Sequence, residues 1–168
     1  LLKVIEEPQS EIYIFFLTND QDQMLPTIRS RTQIFQFKKQ VESLRNRLEQ
    51  AGLVKNKARL LAEFSQSQAE AEKLTNQTSF WTLLEESERF YSWLESGKKE
   101  SYLQVAKLAS LADDKEKQDQ VFRILEVLAG QEIQKNVART VLQNLLEARK
   151  MWKANVSFQN SLEYLVLQ

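Results

Sequence analysis

The chain has 168 residues, 42% hydrophobic and 27% charged, with a formal net charge of zero; this is an ordinary globular composition, with no overall charge bias toward a polyanion. It contains no Cys and no His, which excludes thiolate and imidazole metal centres, Ser-His or Cys-His nucleophile pairs and a disulfide framework. Only three Gly and two Pro, set against many Leu, Glu, Gln and Lys, favour helix.

In chain order, Leu1 to Glu7 reads as part of an amphipathic helix stopped by Pro8. There is no initiator Met, so a piece of a longer protein is expected. Ile12-Tyr13-Ile14-Phe15-Phe16-Leu17 is the longest apolar run. It reads as a strand buried on both faces, and it is too short to cross a bilayer. Thr18-Asn19-Asp20 behind it is turn-like. Pro26 suits the first turn of a short helix. Gln33-Ile34-Phe35-Gln36-Phe37 alternates and reads as a second strand. Strand, short helix and strand make the tail of an α/β domain, too small to be stable alone.

From Val41 onward the pattern is helical. Leu44, Leu48 and Ala51 share a face, with Gly52 as the cap. Ala58, Leu61, Ala62 and Phe64 predict a second helix, and Ala69 to Leu74 a third that ends near Asn76. Phe80, Trp81, Leu84, Phe90, Tyr91 and Leu94 form an aromatic-rich stripe ending at Ser96-Gly97. Val105, Leu108, Ala109 and Ala112 carry the next helix. Asp113 with Glu116 resembles a capping box ahead of Val121, Ile124, Leu125 and Leu128, which Gly130 closes. Val137, Val141, Leu142, Leu145 and Trp152 follow; Asn155 to Ser157 breaks that helix, and Leu162, Leu165 and Val166 belong to a last one. Helices joined by short links make a bundle.

Little of this carries chemistry. Gly52, Gly97 and Gly130 are isolated, so no glycine-rich loop can cradle a phosphate. Glu6-Glu7, Glu85-Glu86 and Asp113-Asp114 are adjacent pairs; neighbours in a helix do not face each other, so they read as solvated faces and caps. The stretch from Arg29 to Arg59 is biased toward Lys and Arg. That bias fits either a nucleic-acid backbone track or a solvated helix face. The aromatics Phe80, Trp81, Phe90, Tyr91 and Trp93 fit a core or, in part, a subunit interface. Pro26-Thr27-Ile28-Arg29-Ser30-Arg31 sets two arginines around a serine at a helix end. It fits a surface ion pair or guanidinium groups offered to a phosphate, which the planar fork binds in a bidentate way.

Taken together, Leu1-Leu2-Lys3-Val4-Ile5-Glu6-Glu7-Pro8, then Phe16-Leu17-Thr18-Asn19, then Leu25-Pro26-Thr27-Ile28-Arg29-Ser30-Arg31-Thr32-Gln33 resemble the clamp-loader branch of the AAA+ ATPases. The resemblance covers about the first 37 residues of the sequence. It implies a mainly α chain with a short α/β remnant of an AAA+ core over residues 1–37. A three-helix lid over 38–76 and a helical-bundle collar, the oligomerisation domain, over 77–168 would follow. It also implies that Arg31 is an arginine finger acting in trans, and that Thr18 and Asn19 stand at the sensor-1 position. Where the family has Cys, this chain has Thr32. The chain itself is expected to bind no cofactor and no metal, with ATP and Mg at the neighbouring subunit. The implied partners are gamma/tau and delta subunits through the collar, and the sliding clamp and primed DNA through the complex. A cytoplasmic location is expected, with no membrane contact. Arg29 resembles a finger-donating subunit more than the gamma/tau-type ATPase. That ATPase and a helical interaction module unrelated to ATP remain the alternatives.

Overall fold

The computed structural model describes residues 13–18, 24–35, 37, 40–97 and 101–168. The chain divides into two compact units, Leu1–Lys38 and Lys39–Gln168. The described residues hold helices and no strand, in accord with a mainly α chain.

In the first unit the one helix described is α1 (Pro26–Arg29), with Pro26 in its first turn. The expectation for Leu1 to Pro8 lies outside the described residues. The two expected strands are not found: residues 13–18, 33–35 and 37 have no regular structure, and Ile12 and Gln36 lie outside the description. Tyr13, Phe15, Leu17 and Phe37 are instead 82–96% exposed. The reason is that a helix closes its hydrogen bonds within itself, whereas a strand needs a second strand. Among the described residues the two apolar runs do not pair with each other, so the described part of the α/β remnant forms no sheet.

The second unit begins with α2 (Val41–Gln50), α3 (Lys55–Phe64) and α4 (Gln68–Thr75). The helices α5 (Thr78–Glu95), α6 (Ser101–Leu111), α7 (Lys115–Gln131), α8 (Asn136–Lys153) and α9 (Phe158–Val166) follow. Their ends have local causes. Gly52 sits at φ 97°; its N–H donates to Glu49 O and that of Leu53 to Leu48 O, the paired closure that favours Gly after a helix. Asn155 does the same work at φ 67° after α8, with Val156 N–H reaching Met151 O. Ser67 caps α4 by accepting from Glu70 N–H at 3.1 Å, while Glu70 accepts from Gln66 N–H at 2.6 Å. Two expectations move by a residue. Asp114, not Asp113, caps α7, accepting from Lys117 N–H at 2.7 Å. Gly130 lies inside α7, which runs on to Gln131.

The core has two parts. A smaller cluster joins Leu44, Leu48, Leu61, Phe64, Leu74, Phe80 and Leu84 with Ile124. A larger one joins Leu83, Phe90, Val105, Leu108, Phe122, Leu125, Leu145, Phe158 and Leu162. Helices α5 and α7 contribute to both, because each is long enough to present different faces along its length. α7 packs against α3, α5 and α8, and α9 closes against α6 and α8. Phe122 is fully buried and meets Phe158 edge-on with centroids 5.6 Å apart, and Trp152 at 5.5 Å.

Candidate functional site

The sequence singles out the end of α1, and the structure gives that segment a definite local geometry. The one-turn helix closes with Ser30 N–H on Pro26 O and Arg31 N–H on Ile28 O, both at 3.0 Å. Ser30 Oγ donates to Thr27 O at 3.2 Å. The Arg31 guanidinium folds back over the same turn: Nη1 donates to Thr27 O at 3.1 Å and to Ser30 Oγ at 3.3 Å. Thr32 Oγ1 donates to Ile28 O at 3.0 Å, which ties the segment after the helix back to it. Arg31 is exposed and Arg29 half-buried. Thr18 is exposed in a segment without regular structure, and Asn19 lies outside the described residues. A guanidinium fork at an exposed helix end is chemically suited to an oxyanion.

The other features weighed in the sequence resolve toward structure. Arg45 pairs with Glu42 at 2.5 Å and Glu49 at 3.5 Å, and Lys57 with Glu85 at 3.6 Å. Arg59 donates to Gln131 Oε1 at 2.8 Å, and Arg47 donates to Gln68 Oε1. Side chains of the chain itself thus partner Arg45, Arg47, Lys57 and Arg59, as on a solvated face; Lys38 and Lys39 lie outside the described residues. Phe80, Phe90 and Tyr91 are core, Trp81 donates from Nε1 to Thr75 O at 2.9 Å, and Trp93 is half-buried.

One polar cluster escaped the sequence reading. Glu86, paired there with Glu85 as a solvated residue, is buried. It accepts from Lys107 Nζ at 2.8 Å, Gln104 Nε2 at 2.5 Å and Arg89 Nη1 at 3.2 Å. Burial pushes its carboxyl upward, but the bonds from Lys107 and Gln104 and the charge of Arg89 outweigh this and hold it below the usual range. The signal was present: Glu86 lies four residues before Phe90, and Gln104 three residues after Ser101, on buried stripes. Tyr91 donates to Glu132 at 3.4 Å; burial first, then Glu95 and Glu132, push its hydroxyl well up. These clusters clamp helix to helix.

A cavity of about 580 Å³ lies where the end of α5, the start of α6, α8 and α9 meet, lined by Trp93, Tyr102, Val137, Val141 and Leu165 among others. Among the described residues there is no group of three or more carboxylates able to hold a metal ion. No described helix is long and apolar enough to cross a membrane.

The family model described as "DNA polymerase III, delta subunit" matches residues 1–41, the part of the chain that holds α1 and Arg31. The chain is also 26% identical to DNA polymerase III subunit delta' of Bacillus subtilis (strain 168), over 99% of its own length. It spans 59% of the length of that relative. No solved structure matches. The family match falls on the residues that carry the motif succession around α1, and the similarity to the delta' subunit runs along nearly the whole chain.

Proposed function

We propose that the chain is part of a delta-prime-type subunit of the DNA polymerase III clamp loader, an AAA+ machine of the cytoplasm. In this reading it supports ATP-driven loading of the sliding clamp onto primed DNA, and so belongs to a DNA-directed DNA polymerase holoenzyme. The observation that carries the reading is the held guanidinium of Arg31 at the exposed end of α1, inside the segment that the family model matches. Arg31 acts in trans: its fork meets the γ-phosphate of ATP-Mg on a neighbouring gamma/tau subunit and stabilises charge that grows during hydrolysis. Thr18 and Asn19 occupy the sensor-1 position. Residues 38–76 form the lid and 77–168 the collar, through which the chain meets gamma/tau and delta subunits. The hydrolysis that Arg31 assists then takes place on the neighbour.

The test is Arg31→Ala in the full-length protein assembled with its loader partners. The expected result is a fall of roughly 10³-fold in the turnover of ATP at the adjoining site, the scale of a lost arginine finger. Unchanged clamp-loading ATPase would refute the assignment. A second reading, a helical interaction module unconnected with ATP, is favoured by the exposure of Tyr102, Leu103 and Leu167 near the cavity. It predicts stable capture of partner subunits by the Arg31→Ala protein with no change in any ATP-dependent step.

A further inference from the structure

The finger reading says which residue acts and leaves open how a long, exposed side chain is aimed. An arginine has several rotatable side-chain bonds, and fixing them at the moment of reaction costs rotamer entropy. A finger already fixed in the resting protein avoids much of that loss, which is the general advantage of preorganisation.

The end of α1 contains such a device. Ser30 Oγ plays two parts at once: it donates to Thr27 O at 3.2 Å and accepts from Arg31 Nη1 at 3.3 Å. Arg31 Nη1 also reaches Thr27 O, at 3.1 Å. One carbonyl, one hydroxyl and one guanidinium nitrogen therefore form a closed triangle. Because a guanidinium is planar, holding Nη1 between two acceptors restrains the tilt of the whole group. The turn makes this possible: Thr27 lies in α1, Ser30 is its C-cap and Arg31 is the next residue, so the side chain of Arg31 folds back over the end of the helix. The cap closes the turn with its backbone N–H on Pro26 O, which leaves its hydroxyl to the triangle.

We propose that Ser30 is a positioning residue for Arg31, its hydroxyl holding the guanidinium plane ready for the neighbouring subunit's phosphate. This rests on the reading of Arg31 as a trans-acting finger. The alternative role for the same contacts is a restraint that keeps Arg31 away from the phosphate, and the two differ in sign.

The experiment compares Ser30→Ala, Ser30→Thr, Arg31→Ala and the Ser30→Ala/Arg31→Ala pair, each in the full-length protein assembled with its loader partners. Steady-state and single-turnover ATP hydrolysis are measured. Ser30→Ala is expected to lower kcat roughly 3- to 10-fold, the scale of one solvent-exposed hydrogen bond to a charged group, with KM for ATP unchanged. Ser30→Thr keeps the hydroxyl and should recover most of the loss. In the Arg31→Ala background Ser30→Ala should have no further effect, because the two residues act as one unit. Unchanged or faster turnover in Ser30→Ala overturns the proposal, the latter by showing a restraint. An equal loss with and without Arg31 also overturns it, by showing that the hydroxyl only supports the turn. If Arg31→Ala alone changes nothing, the finger reading has failed, and that outcome is separate from a failure confined to Ser30.

Discussion

Phe122→Ala tests the proposed centre of the helical unit. Phe122 is fully buried on α7 and touches aromatic rings from α8 and the segment opening α9, Trp152 and Phe158. Truncating a buried Phe to Ala removes about 3–5 kcal/mol through lost transfer energy and the cavity left behind. Two aromatic pairs with centroids 5.5 and 5.6 Å apart are lost with it, which puts the expected change in the upper half of that range. A domain of this size has roughly 5–15 kcal/mol in total, so the variant keeps a reduced but measurable stability. With a urea slope of about 2 kcal/mol/M, the midpoint should fall by about 2 M. Urea unfolding followed by far-UV circular dichroism and by tryptophan fluorescence reads this change. Phe122→Leu, which retains most of the volume, should cost less than about 1.5 kcal/mol. Val54→Ala, at a 71% exposed position, should stay within about 0.5 kcal/mol. A loss below about 1 kcal/mol for Phe122→Ala, with a cooperative transition, would refute the placement of this ring at the core.

Glu86→Gln should destabilise the unit by about 1–3 kcal/mol at neutral pH, because Lys107 and Arg89 lose their ionised partner. The Glu86 carboxyl is held below its ordinary value of 4.5, so the unfolded chain takes up the proton first. The contribution is therefore complete above the ordinary value and vanishes as pH falls through the lowered one. Urea midpoints of the parent and variant should accordingly converge in acid. Asp114→Ala should cost about 1 kcal/mol as a lost cap. Asp113→Ala, which removes only an exposed pair with Lys117, should leave the melting temperature close to that of the parent; equal losses in thermal melts would contradict the cap assignment. At Asn155, where φ is 67°, replacement by Ala should destabilise by about 1 kcal/mol and replacement by Gly should be nearly neutral, again by urea midpoint.

From Val41 onward the helices were legible in the sequence, and so were several of their ends. Leu44 with Leu48, Val121 with Leu125 and Val141 with Leu145 mark buried faces at four-residue spacing, and Gly52 and Asn155 mark stops. These are local matters, since a helix satisfies its backbone within one turn and its closing residue needs only its own preceding carbonyls. The word Pro26 to Arg31 was legible for the same reason, a short segment with its own internal spacing. Tertiary structure decided the rest. Ile12 to Leu17 and Gln33 to Phe37 have the composition of strands, but a strand depends on a partner elsewhere in space, and none pairs with them among the described residues. Glu86 has the composition of a solvated residue and becomes a buried clamp only because Gln104 and Lys107 on the next helix reach it. The division of α5 and α7 between two core clusters follows from which helices they meet. Arg31 lies between these cases. Its presence was a fact of sequence; its hold by Thr27 and Ser30 appeared only once the turn of α1 brought a carbonyl, a hydroxyl and a guanidinium within hydrogen-bonding distance.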